Sequence, residues 1–169
     1  MAADRRTLGQ LCCDLVLATE LSGEVERFAR WNDVVQRSAA ESDHPQLTAF
    51  CAVCCAEVFC ARGDWSLAER ELRSAISVLR RTGHRARCVP PAAKLAELYL
   101  LQGRIEEAAQ LIGRDDSDAS LLVRARLALE RCDPALAVTL LNRHCRRSGG
   151  DSLLTAPAIA LLIDAQVAR

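Results

Sequence analysis

A tight turn recurs along the chain. Gly23, Gly63, Gly103 and Cys132 stand at equivalent points, each followed by an acidic or polar residue, an apolar stretch, and a small or apolar residue five positions on. The segments read GEVERFARW, GDWSLAERELRSA, GRIEEAAQLI and CDPALAVTLL. Ala68, Ala108 and Ala137 fall where two helices joined by such a turn come closest, and a bulky side chain there would push the pair apart. Phe28 departs from this rule in the first segment.

Apolar residues spaced three and four apart between these turns predict helices. In GDWSLAERELRSAISVLRRTG, Trp65, Ala68, Leu72, Ala75, Ile76 and Leu79 form one face and Glu69, Arg70, Glu71 and Arg73 the other. Asp64 opens this helix and Gly83 closes it. The same pattern predicts about nine helices, over 6–22, 24–39, 46–62, 65–82, 90–102, 104–113, 118–131, 134–147 and 155–168. Strand signals are nearly absent. Half of the 169 residues are apolar but only 4% are aromatic, an Ala, Leu, Val and Cys alphabet suited to close helix packing.

The expected fold is all-α: a right-handed superhelix of antiparallel helix hairpins within one domain, 1–169. Its units are 6–39, 46–82, 90–113 and 118–147, followed by a terminal helix at 155–168. The turn spacings of 40, 40 and 29 residues differ from the period of about 34 in a regular tetratricopeptide array. Degenerate, tetratricopeptide-like repeats with loops of variable length are therefore expected.

The stretches LCCDLVLATELSGEVERFARW, FCAVCCAEVFCARGDWSLAERELRSAI, AELYLLQGRIEEAAQLI and LLVRARLALERCDPALAVTLL cover roughly 8–168. Together they resemble the tetratricopeptide-like region of actinobacterial LuxR-type (helix-turn-helix) transcriptional regulators. The resemblance implies a scaffold for sensing or protein contact in transcriptional regulation, with DNA contacted by a separate helix-turn-helix. Direct nucleic-acid binding by these residues is not expected, since 22 basic and 22 acidic side chains cancel.

Stacked units would line a concave face with their first helices. The repeat register puts Gln10, Cys13, Leu17 and Glu20 from the first unit on that face, with Val53, Glu57 and Cys60 from the second. Ala93, Glu97 and Leu100 follow from the third, then Leu122 and Arg126 from the fourth. An apolar groove with three carboxylates and one arginine would suit a peptide or helix bearing apolar anchors and a basic side chain.

CAVCCAEVFC, residues 51–60, raises the question of metal or redox chemistry. Cys51, Cys54 and Cys55 share a helix, and Cys12 and Cys13 lie on the equivalent helix of the preceding unit, so a thiolate cluster is geometrically conceivable. A paired CxxC arrangement is lacking, however, and these positions lie where helices face one another. Small-residue packing by reduced thiols is the expectation, with no metal and no cofactor. His44, His84 and His144 fall in three different connections, and no nucleophile, phosphate-loop, dinucleotide or zinc-protease motif occurs. His84 belongs to a basic, solvated connection, and His144 and Cys145 to a helix end whose positive side chains complement the helix dipole.

The terminal segment TAPAIALLIDAQVAR has Thr155 as a cap and Pro157 in the first turn. Ile159, Leu161, Leu162, Ile163 and Val167 spread around this helix with little polar relief, so self-association is the expectation, with cover by a further downstream domain or a satisfied monomer as the alternatives. The chain is thus expected to be a noncatalytic interaction module, neither membrane-bound nor enzymatic, in the cytoplasm. Its partner would be a protein or peptide, or a second copy in a homodimer through the C-terminal helix. A small-molecule or thiol-redox sensor using the Cys-rich helices is the alternative.

Overall fold

The computed structural model describes residues 45–148 and 152–167, and these are helical with no strand among them. Seven α-helices follow in order: α1 (Pro45–Arg62), α2 (Trp65–Arg81), α3 (Val89–Leu101), α4 (Ile105–Ile112), α5 (Asp118–Glu130), α6 (Pro134–Arg147) and α7 (Ser152–Val167). The two helices expected over 6–22 and 24–39 lie outside the described residues. The chain divides into two compact units, 1–95 and 96–169.

In the first unit α1 packs on α2. Ala49, near the start of α1, meets Leu79, near the end of α2, together with Cys88. With only two residues between the helices, the pair is an antiparallel hairpin. Cys51, Ala52, Cys54, Cys55, Ala56 and Val58 are buried on α1, and Ala68, Leu72, Ala75, Ile76 and Leu79 on α2. Trp65 departs from the expected apolar face, since at the first position of α2 its ring is more than a third exposed. Asp64 occupies the cap position of α2 but its side chain makes no cap bond. It pairs instead with Arg62 at 3.4 Å. The basic connection after α2 holds a 3-10 turn, Arg85–Cys88, which leaves its arginines exposed and turns Cys88 inward.

In the second unit Leu121 and Ala125 of α5 meet Leu140 and Leu141 of α6, while Ala128 meets Ala137 nearer the turn. These pairs run in opposite directions, so α5 and α6 form a second antiparallel hairpin. Ala158 of α7 joins the first group and Ala165 the second. The helix α7 therefore lies parallel to α5 and antiparallel to α6, touching both.

Four turns share one hydrogen-bond pattern. The N–H of Asp64 donates to the carbonyl of Phe59, that of His84 to Leu79, that of Arg104 to Tyr99, and that of Asp133 to Ala128, each at 2.8 Å. Residue 63, 83, 103 or 132 precedes the donor at positive φ. A left-handed residue ends the helix and lets the next N–H reach back over a full turn, satisfying a carbonyl otherwise left without a donor. Ala68, Ala108 and Ala137, five residues beyond Gly63, Gly103 and Cys132, are fully buried, and Cys88, five beyond Gly83, is buried.

The last helix begins earlier than the sequence reading put it. Thr155 lies inside α7 and is buried, so it is not the cap, and Pro157 is an internal residue of the helix. A proline this near a helix start removes a single backbone donor, a loss that packing of the rest of the helix offsets.

Candidate functional site

The first helix of each hairpin was expected to offer a binding face. On α1, Val53, Glu57 and Cys60 are half-buried, and Lys94 of α3 reaches Glu57 at 3.1 Å. Ala93 is buried among its neighbours and offers no open surface. In the second unit Glu97, Leu100, Leu122 and Arg126 are half-buried. Arg126 Nη1 donates to Glu97 Oε1 at 2.7 Å, and Leu122 packs against the Leu121 and Leu140 cluster. Gln10, Cys13, Leu17 and Glu20 lie outside the described residues.

Glu57 and Glu97 thus already hold a cation of the chain itself. A ligand's basic side chain would have to compete with Lys94 or Arg126, which lowers the gain such recognition can bring. Leu100 and Leu122, both half-buried, lie one helical turn from Glu97 and from Arg126 on their own helices.

A second charged feature escaped sequence reasoning. Three arginines from two helices hold the connection between α4 and α5. Arg124 donates to one carboxylate oxygen of Asp116 at 2.7 Å, and Arg143 pairs with the other at 2.9 Å. Arg147 donates to the Asp116 carbonyl and lies 3.4 Å from the Asp118 carboxylate. Bonding by Arg124, aided by Arg143, holds the Asp116 carboxyl below its usual range. Ser117 and Ser120 do the same for Asp115 through their hydroxyls. The Ser117 side chain also accepts from the Ser120 N–H and so caps α5. The RDDSD run is visible in sequence, but its arginine partners on α6 come from a different helix and leave no local pattern.

At the start of α4, Arg104 lies over the Tyr99 ring at 3.9 Å and makes a two-pronged bond with Glu107, both contacts at 2.7 Å. This fastens the turn between α3 and α4 by stacking and charge together.

Four of the seven described thiols occupy packing positions. Cys51, Cys54, Cys55 and Cys88 are buried, Cys60 and Cys145 half-buried, and Cys132 exposed. Among the described residues no three His, Cys, Asp or Glu side chains are placed to share a metal ion. Cys12, Cys13 and His44 lie outside these residues. His144 lies at the helix end, in the last turn of α6 with Arg146 and Arg147, but is buried, with its ring 3.5 Å from the Ser148 hydroxyl. Arg146 and Arg147 remain exposed at the helix end.

On α7, Leu161 and Leu162 pack against the α5–α6 cluster. Ile159, Ile163 and Val167 are 50%, 60% and 84% exposed. The helix therefore divides the residues expected to drive self-association into an inner pair and an outer row.

Compared with known families, curated proteins and solved structures, the chain matches no family model, no curated protein and no solved structure. No helix among the described residues is long and apolar enough to cross a membrane.

Proposed function

We propose that the chain is a noncatalytic, tetratricopeptide-like helical-repeat module that binds protein or peptide partners. The observation that carries this reading is the recurring turn, followed at three of its four occurrences by an alanine fully buried five residues on. Hairpins built from such turns stack into right-handed arrays whose first helices present an extended face. The Arg126–Glu97 pair supports it, because both residues stand six positions before their turn residues, Cys132 and Gly103. Equivalent positions in successive first helices are neighbours in a stacked array.

The role is a scaffold, in the cytoplasm, within transcriptional regulation. The regulatory link rests on the resemblance to LuxR-type regulators. The cancelling charges of the chain favour a protein partner over nucleic acid. A partner would anchor an apolar side chain against Leu100, with the Glu97–Arg126 pair one turn away fixing register more than affinity.

Affinity capture from the native cell extract tests this, comparing the natural chain with Leu100→Glu, whose side chain is half-exposed and need not unfold the helix. Loss of a specific partner from the variant is expected. Capture of the same partners in the same amounts would overturn the assignment of this face.

A further inference from the structure

The charges of the chain cancel in total but not in place. Between Glu71 and Glu97 the sequence holds no Asp or Glu, yet this stretch carries Arg80, Arg81, Arg85 and Arg87. The helix α1 likewise has no acidic residue before Glu57. Arg80 and Arg81 stand in the last turn of α2, and Arg85 and Arg87 in the 3-10 turn that follows. All four are exposed. Among the described residues, none of the four holds an ion pair.

The 3-10 turn is pinned to the end of the first hairpin. The His84 N–H donates to the Leu79 carbonyl at 2.8 Å. Cys88 is buried with Ala49 and Leu79, and its Sγ donates to the Ile76 carbonyl at 3.8 Å. Both α1 and α2 touch this turn. The four arginines therefore share one end of the first unit.

Helix stability accounts for only two of them. Cations complement the C-terminal end of α2, where Arg80 and Arg81 stand. Arg85 and Arg87 lie just before the N-terminus of α3, whose first turn has no acidic residue, and there the helix dipole repels them. The contrast is the end of α6, where Arg143 and Arg147 are answered by Asp116 and Asp118.

We propose that this end of the first unit docks an acidic segment of a protein partner. Carboxylates laid across the four guanidinium groups would form charge-assisted, two-pronged bonds and relieve the repulsion among the arginines. An acidic peptide is favoured over nucleic acid because no Phe, Trp or Tyr lies between Trp65 and Tyr99 to stack a base. The balanced total charge also gives no long-range attraction to a polyanion. The proposal rests on the reading of the chain as an interaction module and adds a second surface. Its arginines belong to the first unit, and Leu100 belongs to the second.

Fluorescence anisotropy of a labelled deca-glutamate peptide titrated with the full chain tests it. Binding is expected at low salt and should weaken about tenfold or more on passing to about 150 mM salt. Arg85→Glu combined with Arg87→Glu should abolish it, with an unchanged helical circular dichroism spectrum. Arg114→Glu combined with Arg146→Glu makes the same charge change on exposed arginines of the second unit, and most of the binding should survive it. Equal losses in the two double variants, or no binding by the natural chain, overturn the proposal. Tighter binding of a short DNA duplex than of the peptide also overturns it, by reassigning the patch to nucleic acid. Leu100→Glu should bind the peptide as the natural chain does, so failure of this surface is distinguishable from failure of the face at Leu100.

Discussion

Arg126 of α5 and Glu97 of α3 hold the same place in their helices, six residues before Cys132 and Gly103, and the guanidinium of one donates to the carboxylate of the other at 2.7 Å. The bond sets opposite charges at one register point of the two helices. Both side chains are about one-third exposed.

Breaking this pair should cost little in stability. Arg126→Ala and Glu97→Ala are each expected to destabilise by about 0.5–1 kcal/mol, as for partly screened pairs. A double-mutant cycle by urea unfolding should return most of that as coupling. The exchange Glu97→Arg with Arg126→Glu should recover stability towards that of the natural chain.

Cys132 is strained where Gly63 and Gly103 are not. Its φ of 57° puts a side chain in the left-handed region, at a cost of about 1–2 kcal/mol, partly offset by the greater chain entropy glycine loses on folding. Cys132→Gly should therefore stabilise by about 0.5–1 kcal/mol. Gly63→Ala should destabilise by about 1 kcal/mol through φ alone, because an added Cβ meets nothing within 4 Å. Thermal unfolding of both variants checks the opposite signs.

Acid should loosen the connection before α5. The Asp116 carboxyl titrates below its ordinary 3.8 in the folded chain because Arg124, with Arg143, favours the charged form. Its contribution is present above the unfolded value and is lost as pH falls from about 4 towards the depressed folded value. Asp116→Asn should lose less stability than the natural chain over that window. Denaturant unfolding at stepped pH, with matched ionic strength, measures the difference.

Thiol reactivity should follow burial. Cys132 is expected to react with a maleimide in the native protein at once, and Cys60 and Cys145 more slowly. Cys51, Cys54, Cys55 and Cys88 should react only as the helices open. Mass spectrometry of timed, labelled peptides gives the order. Rapid native labelling of Cys55 would contradict its packing role.

Much of the local structure was legible because it is written locally. Helical periodicity placed each described helix start within one residue except that of α7, and the turn residues marked where helices stop. In α7 apolar residues continue on both sides of Thr155 and Pro157, so a capping pattern resembled a start that packing overrode. Trp65 and His144 show the same limit in opposite senses. The aromatic ring stands at the helix edge and stays partly exposed, whereas the imidazole is taken into the α6 interior.

Register put Glu57 and Glu97 on the expected face, yet a single helix says nothing of the cation a neighbour will supply, so Lys94 and Arg126 appeared only with packing. The arginine clamp on Asp116 was hidden for the same reason.

By itself, the sequence determined the helices, their turns and the small residues between them, because periodicity, left-handed turn positions and side-chain volume act over a few neighbouring residues. Tertiary structure alone decided which carboxylates are already paired and which side of α7 stays bare. Those outcomes depend on side chains brought together from separate helices, and only packing sets those distances.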